Sequence, residues 1–416
     1  MFDYHEILNC GQLIEDRLKQ LGAVSNTPGV PGIWRAWGTD SDFRAKSLLS
    51  DWMRSAGLAV REDAFGNLYG RLEGQVSETI LAGSHVDTVK DGGLYDGACG
   101  VVTALTAVEA LMKAGWKPYY SVEIIGFEEE EGSRFDLSYP GSHAIVGKLS
   151  AGDLAITDEN GKVLQDLMEE RGYGWQNLLQ ADRRGQVKEF MELHVEQGAV
   201  LDREKISIGL VENITGMVNF DVTIHGEQNH AGTTPMYLRK DPVIKSAELI
   251  LNLTKQVREI SPTGVITIGE MQLHPGVANV IPGKVHFSID LRDGNGRALR
   301  EEEEMVQRVI RKAENDGFGV ELKMYNHEDP VPMHGELVNC LETAVQEAGI
   351  PYKRMNSGAG HDSMIVAWEI PTCMIFIPSV NGISHSPKEY TKPEDLGNGC
   401  EVLGRLLVKR AGQAAG

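Results

Sequence analysis

A chain of 416 residues is long enough for two domains, each with a core of its own. Sixty acidic residues against forty basic ones give a formal charge of −20, and such a surface repels phosphate backbones and anionic membranes, so nucleic acid is not an expected partner. The five cysteines (Cys10, Cys99, Cys340, Cys373, Cys400) are odd in number and contain no CxxC pair, which fits reduced thiols in a cytoplasm better than a disulfide framework or a cysteine-ligated metal.

The N-terminal MFDYHEILNCGQLIEDRLKQLG has the spacing of an amphipathic helix, without the uninterrupted apolar segment of a signal peptide, and no span approaches a membrane helix in length. Thr79–Ala82 (TILA) is a short apolar strand leading into GSHVDT. A helix follows over about 98–114, with Val101, Leu105, Val108 and Leu111 or Met112 on one stripe. Ser121–Phe127 (SVEIIGF), Lys188–Leu193 (KEFMEL) and Thr372–Ile377 (TCMIFI) read as further buried strands. This alternation predicts an α/β domain with a mostly parallel sheet. Between about 212 and 326 the pattern changes to β-α-β-β-α-β, with helices expected over 241–260 and 297–316. That order predicts a ferredoxin-like (α+β) insert, complete in itself, which divides the first domain into 1–211 and 327–416.

The apolar strand SVEIIGF ends in four consecutive glutamates, Glu128–Glu131. Adjacent carboxylates repel, and near a core each ionised one needs compensation. A second run, Glu301–Glu304, precedes Met305, Val306, Val309 and Ile310 at helical spacing and reads as a solvated helix face. The first run asks for cations. Other strands also stop at metal-ligand residue types: His85 and Asp87 in GSHVDT, Asp96 in GGLYDG, Glu130 and Glu131, His194 in HVEQG, and His385 in GISHSP. In open α/β sheets, ligand sites gather at the carboxyl ends of strands. Imidazoles with carboxylates suit zinc or manganese, and bound cations turn clustered acids from costly to favourable. Each feature alone is weak evidence, and their convergence outweighs an ordinary acidic surface.

Taken together, GSHVDTVKDGGLYDGACG, FEEEEGSRF, ELHVEQG, NHAGTTPM, NVIPGKV, SGAGHDS and NGISHSP resemble the amidohydrolases that act on ureido compounds: allantoate amidohydrolase, N-carbamoyl-L-amino acid hydrolase and β-ureidopropionase. These are relatives of the dinuclear zinc aminopeptidases, and the resemblance runs in order through nearly the whole chain. It implies an α/β catalytic domain of that type with an inserted ferredoxin-like dimerisation domain, a homodimer, and two divalent ions (Zn or Mn) per subunit. By motif, His85, Asp96 and His194 would hold one ion. Asp96, Glu131 and His385 would hold the other, with Asp96 bridging. Asp87 would orient the His85 imidazole, and Glu130 takes the family's general-base position, whereas Glu128 and Glu129 receive no catalytic role.

On the substrate side the resemblance implies that Arg292 grips a carboxylate, that Gln197 and Asn279 hydrogen-bond substrate, and that His230 stabilises the developing oxyanion from a neighbouring subunit. It also implies that His361, with Gly358 and Gly360 beside it, lines the same pocket. Such roles for His230 and Arg292 predict open and closed arrangements of the insert. The C-terminal segments NHEDPVPM, SGAGHDS and PTCMIFIPSVNGISHSP are most similar to allantoate amidohydrolase, which implies conversion of allantoate to ureidoglycine, ammonia and carbon dioxide in purine nitrogen recovery. N-carbamoyl-L-amino acid hydrolysis or β-ureidopropionase activity is the rival reading. An aminopeptidase or a non-catalytic metal-binding homologue is weaker.

Overall fold

The computed structural model describes residues 3–27 and 29–412. Its contacts divide the chain into two compact units: Met1–Glu212, Pro332–Met355 and Gly360–Gly416 form one, and Asn213–Val331 with Asn356–Ala359 form the other.

The first unit is built on a nine-stranded sheet. Its early strands are β1 (Ala59–Glu62), β2 (Leu68–Leu72), β3 (Val76–His85), β4 (Tyr120–Phe127), β5 (Val187–Val195) and β6 (Ile208–Ile214). Across the sheet the order is β1-β2-β4-β3-β5, then Thr372–Ile377, β6 and Val331–Pro332, with Tyr352–Ser357 also paired to β6. The sheet is mixed. Its centre, β4-β3-β5 and Thr372–Ile377, runs parallel. β2 pairs antiparallel with both β1 and β4, and β6 runs antiparallel to Thr372–Ile377. The physical reason on one side is the short 63–67 loop between β1 and β2, since only an antiparallel neighbour can be reached by a hairpin.

The parallel strands carry continuous buried runs, as expected of a sheet covered on both faces: every residue from Ser121 to Phe127 is buried, as is every residue from Thr372 to Ile377. Helix Ala98–Lys113 differs from the single-stripe expectation, because Ala98 to Val108 are all buried. Small residues (Ala98, Cys99, Gly100, Ala104, Ala107) let neighbours close around it on every side. The expected single N-terminal helix is two, Tyr4–Leu8 and Gly11–Gly22. The break admits a close approach: a Cβ on Gly11 would lie 1.8 Å from the carbonyl oxygen of Pro393, which opens helix Pro393–Ala411.

In the second unit β7 (Gly216–His225) lies between Lys284–Asp293 and Gly319–Glu328, all antiparallel, with Met271–His274 on the outer edge of Lys284–Asp293. The stretch VITIGEMQLH is interrupted, so that Val265–Thr267 and Met271–His274 pair separately with Lys284–Asp293. Alternate residues of β7 and Lys284–Asp293 face a core of Phe220, Val222, Ile224, Phe287, Ile289 and Leu291. Helices Pro242–Ile260 and Gly296–Asn315 supply Leu253, Val257, Val306 and Val309 to that core. The reading of Glu301–Glu304 as a fully solvated face needs correction. Glu301 and Glu304 are exposed, but Glu302 is buried, and neither of its oxygens accepts a hydrogen bond. Burial and nearby Asp293 push its carboxyl up to about 8. Among the described residues no helix is long and apolar enough to cross a membrane.

Candidate metal centre

Register aligns the ends of the four parallel strands. His85, the last residue of β3, lies opposite Phe127 of β4, and His194 of β5 lies opposite Phe376. The residues that follow Phe127 are the four glutamates, so the carboxyl edge of the sheet gathers imidazoles and acids in one place.

Each glutamate of that run is accommodated differently. Glu128 is fully buried, and the Lys46 ammonium, 2% exposed, lies 3.4 Å from it. Lys46 also reaches Asp42 at 3.5 Å and donates to the Tyr173 hydroxyl at 2.8 Å. Glu129 has a positive φ of 57° and accepts backbone N–H groups from Trp37, Arg134 and Phe135. Burial and Asp87 nevertheless push its carboxyl up to about 8. Glu130 and Glu131 have their own N–H groups fixed by the two oxygens of Asp87, at 3.1 and 3.2 Å. Their side chains point into the cluster of histidines.

Three trios in that cluster have ligand atoms within 4.8 Å of one another: His85, Asp96 and His194; Asp96, Glu131 and His385; and His85, Glu130 and Glu131. Asp96 stands at the middle. Its Oδ1 is 3.1 Å from His194 Nε2 and 3.5 Å from His85 Nε2, and its Oδ2 is 3.0 Å from His385 Nε2. Glu131 Oε1 lies 3.7 Å from His385 Nε2, and Glu130 Oε2 lies 3.9 Å from His85 Nε2. The second nitrogens of two rings face carbonyls: His85 Nδ1 meets Asp87 O at 3.0 Å and His194 Nδ1 meets Val195 O at 2.9 Å. Those partners assign the proton to Nδ1 and turn both Nε2 lone pairs inward.

The donor set therefore fits cations. Two Nε2 atoms 3.5 Å apart and an Asp96 Oδ1 that accepts no hydrogen bond converge on one another, an arrangement that repels itself unless positive charge sits among them. Protein charges alone already express this demand. Burial works against a charged ring at His85, yet Glu130, Asp96 and Asp87 raise its proton affinity well above the ordinary imidazole range. Burial likewise works against ionised Asp96, but the three histidines hold it well below the usual carboxylate range. Burial and Asp96 push Glu131 up to about 7, and the bond to Asp96 pushes His385 up to about 9. The set is all nitrogen and oxygen, as zinc or manganese prefers.

Three further expected residues lie beside this cluster. The Asp87 carboxylate is 3.7 Å from the His85 ring and is engaged by the Glu130 and Glu131 amides, so its main-chain oxygen holds the imidazole instead. Gln197 donates to Asp96 Oδ2 at 3.0 Å and is 3.2 Å from His385 Nε2, which sets it beside the acid–histidine cluster. His361 is buried with its ring 4.5 Å from that of His194, and burial with that neighbour holds it well below the ordinary imidazole range.

The remaining expected residues belong to the second unit. His230 and Asn279 are neighbours there: the short ladder pairs Asn229–His230 with Val280–Ile281, and Ala231 donates to Asn279 O at 3.0 Å. His230 Nδ1 accepts from the amides of Gly232 and Thr233. The Arg292 fork is engaged by Asp290 at 2.8 and 3.0 Å and by the carbonyl of Gly358 at 2.9 Å.

Sequence reasoning missed Glu389, whose Oε2 accepts from the amides of Tyr95 and Asp96 at 2.8 and 3.0 Å and so fixes the turn that presents Asp96. Its only signal is its place four residues after His385. It also missed Gly97. With φ at 58°, Gly97 donates to His194 Nε2 at 3.1 Å, and any Cβ there would lie 2.3 Å from the His85 ring.

The family model for peptidase family M20/M25/M40 matches residues 81–409. The chain is 40% identical over 399 residues to allantoate amidohydrolase of Bacillus subtilis (strain 168), covering 95% of each. It is 35% identical to N-carbamoyl-L-amino-acid amidohydrolase of Pseudomonas sp. (strain NS671), covering 94% of this chain and 96% of that one. The crystal structure of a hydantoinase/carbamoylase family amidase from Burkholderia multivorans superposes with a TM-score of 0.90 at 31% identity, covering 97% of this chain and 98% of that one. Hydrolases of this family use divalent metals, in keeping with the cluster around Asp96. On these matches, and on a sheet whose carboxyl edge collects the ligands, the chain belongs to peptidase family M20/M25/M40.

Proposed function

We propose that this hydrolase cleaves a ureido C–N bond with two divalent ions, zinc or manganese, and that its substrate is allantoate, giving ureidoglycine, ammonia and carbon dioxide. The observation that carries the reading is Asp96, with an imidazole nitrogen 3.0–3.5 Å from each of its oxygens. His85 and His194 would complete one site with Asp96, and Glu131 and His385 the other. When bound, the ions supply positive charge that polarises the ureido carbonyl, which two nitrogens deactivate, and that acidifies water.

The chain's own groups do the rest. Glu130 Oε2 takes a proton from the attacking water and returns it to the departing nitrogen. Burial raises the proton affinity of this carboxyl, which suits a group that must hold a proton between two steps. Asp87 fixes the Glu130 amide and thereby the aim of the side chain. Gln197 would hold substrate from beside Asp96, and His361 would wall the pocket as a neutral ring. For the substrate carboxylate the candidate is Arg292, whose fork would exchange Asp290 for the ligand. Asn279 would add a hydrogen bond and His230 would stabilise the developing oxyanion, in a homodimer, from the partner subunit.

N-carbamoyl-L-amino acid hydrolysis is the second reading, favoured by the similarity to the Pseudomonas amidohydrolase. Ammonia release from allantoate, against amino acid release from N-carbamoyl-L-amino acids, separates the two when each is measured with added manganese or zinc. Turnover of carbamoyl amino acids without turnover of allantoate overturns the substrate assignment. Activity that survives complete chelation overturns the metal reading as well.

A further inference from the structure

Where the first helices meet the last one, two thiols face each other across an interface made close by glycines. Helix Pro393–Ala411 presents Gly397, Cys400 and Gly404 at spacings of three and four, and so on one face. A Cβ added at Gly397 would lie 3.5 Å from the Gly11 amide nitrogen, and one added at Gly404 would lie 2.6 Å from Leu8 Cδ1. Gly11 thus sits against Gly397 and Leu8 against Gly404. Cys10, between Leu8 and Gly11, is brought onto Cys400, between the two glycines. The Cys400 thiol donates a hydrogen bond to the Cys10 sulfur.

The two sulfurs are unequal. Cys10 is half-buried and stands at the N-terminal end of helix Gly11–Gly22, with its Sγ 3.6 Å from the carbonyl oxygen of Ile7. Cys400 is fully buried. The hydrogen bond from Cys400 and the Arg17 guanidinium lower Cys10 to about 7 against the opposing effect of burial, whereas the same bond and burial push Cys400 well above the ordinary thiol range. Near neutral pH the accessible sulfur is therefore partly thiolate, and the buried one keeps its proton. Cys99 and Cys373 are buried and their thiols are pushed up as well, which leaves them poor nucleophiles. Neither Cys10 nor Cys400 belongs to the ligand trios around Asp96.

We propose that Cys10 and Cys400 are an oxidation site, at which a hydroperoxide converts the facing thiols to a reversible disulfide that ties the N-terminal helices to the C-terminal one. The Cys10 thiolate attacks one peroxide oxygen, the O–O bond breaks, and the other oxygen leaves as hydroxide or alkoxide. That leaves a sulfenic acid on Cys10. The Cys400 sulfur then attacks the Cys10 sulfur, the S–O bond breaks, and the Cys400 proton departs with the oxygen as water. Two electrons pass from the thiol pair to the peroxide, and a dithiol returns them. The glycines at 397 and 404 hold the two backbones at the close approach that a disulfide demands. The new bond closes a loop of nearly the whole chain, the case in which an unfolded ensemble loses most freedom.

The test exposes the full chain to a small excess of hydrogen peroxide at neutral pH and then counts thiols after unfolding. The expected result is loss of two of the five thiols, with peptides joined through Cys10 and Cys400 in mass mapping and full reversal by dithiothreitol. The oxidised protein should melt roughly 5 °C or more above the reduced one. Cys10→Ser, a change at the half-buried partner, should keep the reduced protein's melting curve and every remaining thiol under the same treatment. Cys400→Ser removes the resolving thiol, so dimedone should label Cys10 in that variant and not in the wild type, a readout that a packing role would not move. If Cys400→Ser fails to fold, Cys10→Ser decides alone, because thiol loss that persists in it overturns the proposal. Retention of all five thiols, linkage of any other pair, or an unchanged melting temperature after oxidation overturns it as well.

Discussion

Two runs of four glutamates, alike on paper, have opposite physical fates. Glu128–Glu131 leaves the end of a buried strand, and every member has a compensating environment: an ammonium for Glu128, three amides for Glu129, and the histidine-rich centre for Glu130 and Glu131. Glu301–Glu304 lies on a helix, and its four members divide by phase. Glu301 and Glu304 face water, Glu303 pairs with His327 at 3.0 Å, and Glu302 turns inward with nothing to receive it. Charge density alone therefore says little. The geometry of the element decides whether a carboxylate is a ligand, a structural acceptor or a buried acid that keeps its proton.

The sharpest way to break that contrast is at the chemistry. Glu130→Gln should lower turnover by roughly 10²–10⁴-fold while leaving bound metal, read by atomic absorption, near the wild-type amount. Wild-type rates in that variant would remove Glu130 from the mechanism. Next in size is Lys46→Met, which strands Glu128 in the core without its cation and should destabilise the fold by about 3–5 kcal/mol in urea unfolding. Asp87→Asn should weaken metal affinity roughly 10–100-fold in competition with a chelator, since the amides of Glu130 and Glu131 lose a charged acceptor.

In the second run the effect is smaller and depends on pH. Glu302 is raised in the folded state from an ordinary 4.5 to about 8, so its favourable contribution is complete below pH 4.5 and is lost as the pH climbs towards about 8. Glu302→Gln should flatten the melting temperature across that window and raise it at the alkaline end. An unchanged slope would show that Glu302 does not carry the dependence. Glu301→Ala, on the exposed side of the same helix, should stay within about 0.5 kcal/mol of wild type.

The parallel strands and the ligand types at their ends were legible because buried strands are short, apolar and unbroken, and because His85 and His194 stand where those runs stop. The antiparallel edges were less visible: β1 (AVRE) is mostly exposed and carries no apolar run. The inward turn of Glu302 had a signal that went unused, since it falls in phase with Leu299, Val306 and Val309 on the buried face. Lys46 and Glu389 had almost none. Lys46 meets Glu128 from 82 positions away in the chain, and Glu389 meets Asp96 from 293 positions away. Contacts of that kind are set by tertiary packing, and no local pattern encodes them.

The absence of a side chain at Gly97 has a reach well beyond its own turn. Between Asp96 and helix Ala98–Lys113, it leaves a gap that only a hydrogen atom can occupy against the His85 imidazole. Even one methyl would wedge that ring away from the carboxylate it must meet. The bore of the centre is thus gauged by main chain rather than by any acid or histidine, and residue 97 limits how far the ligands around it could be altered to suit a larger ion.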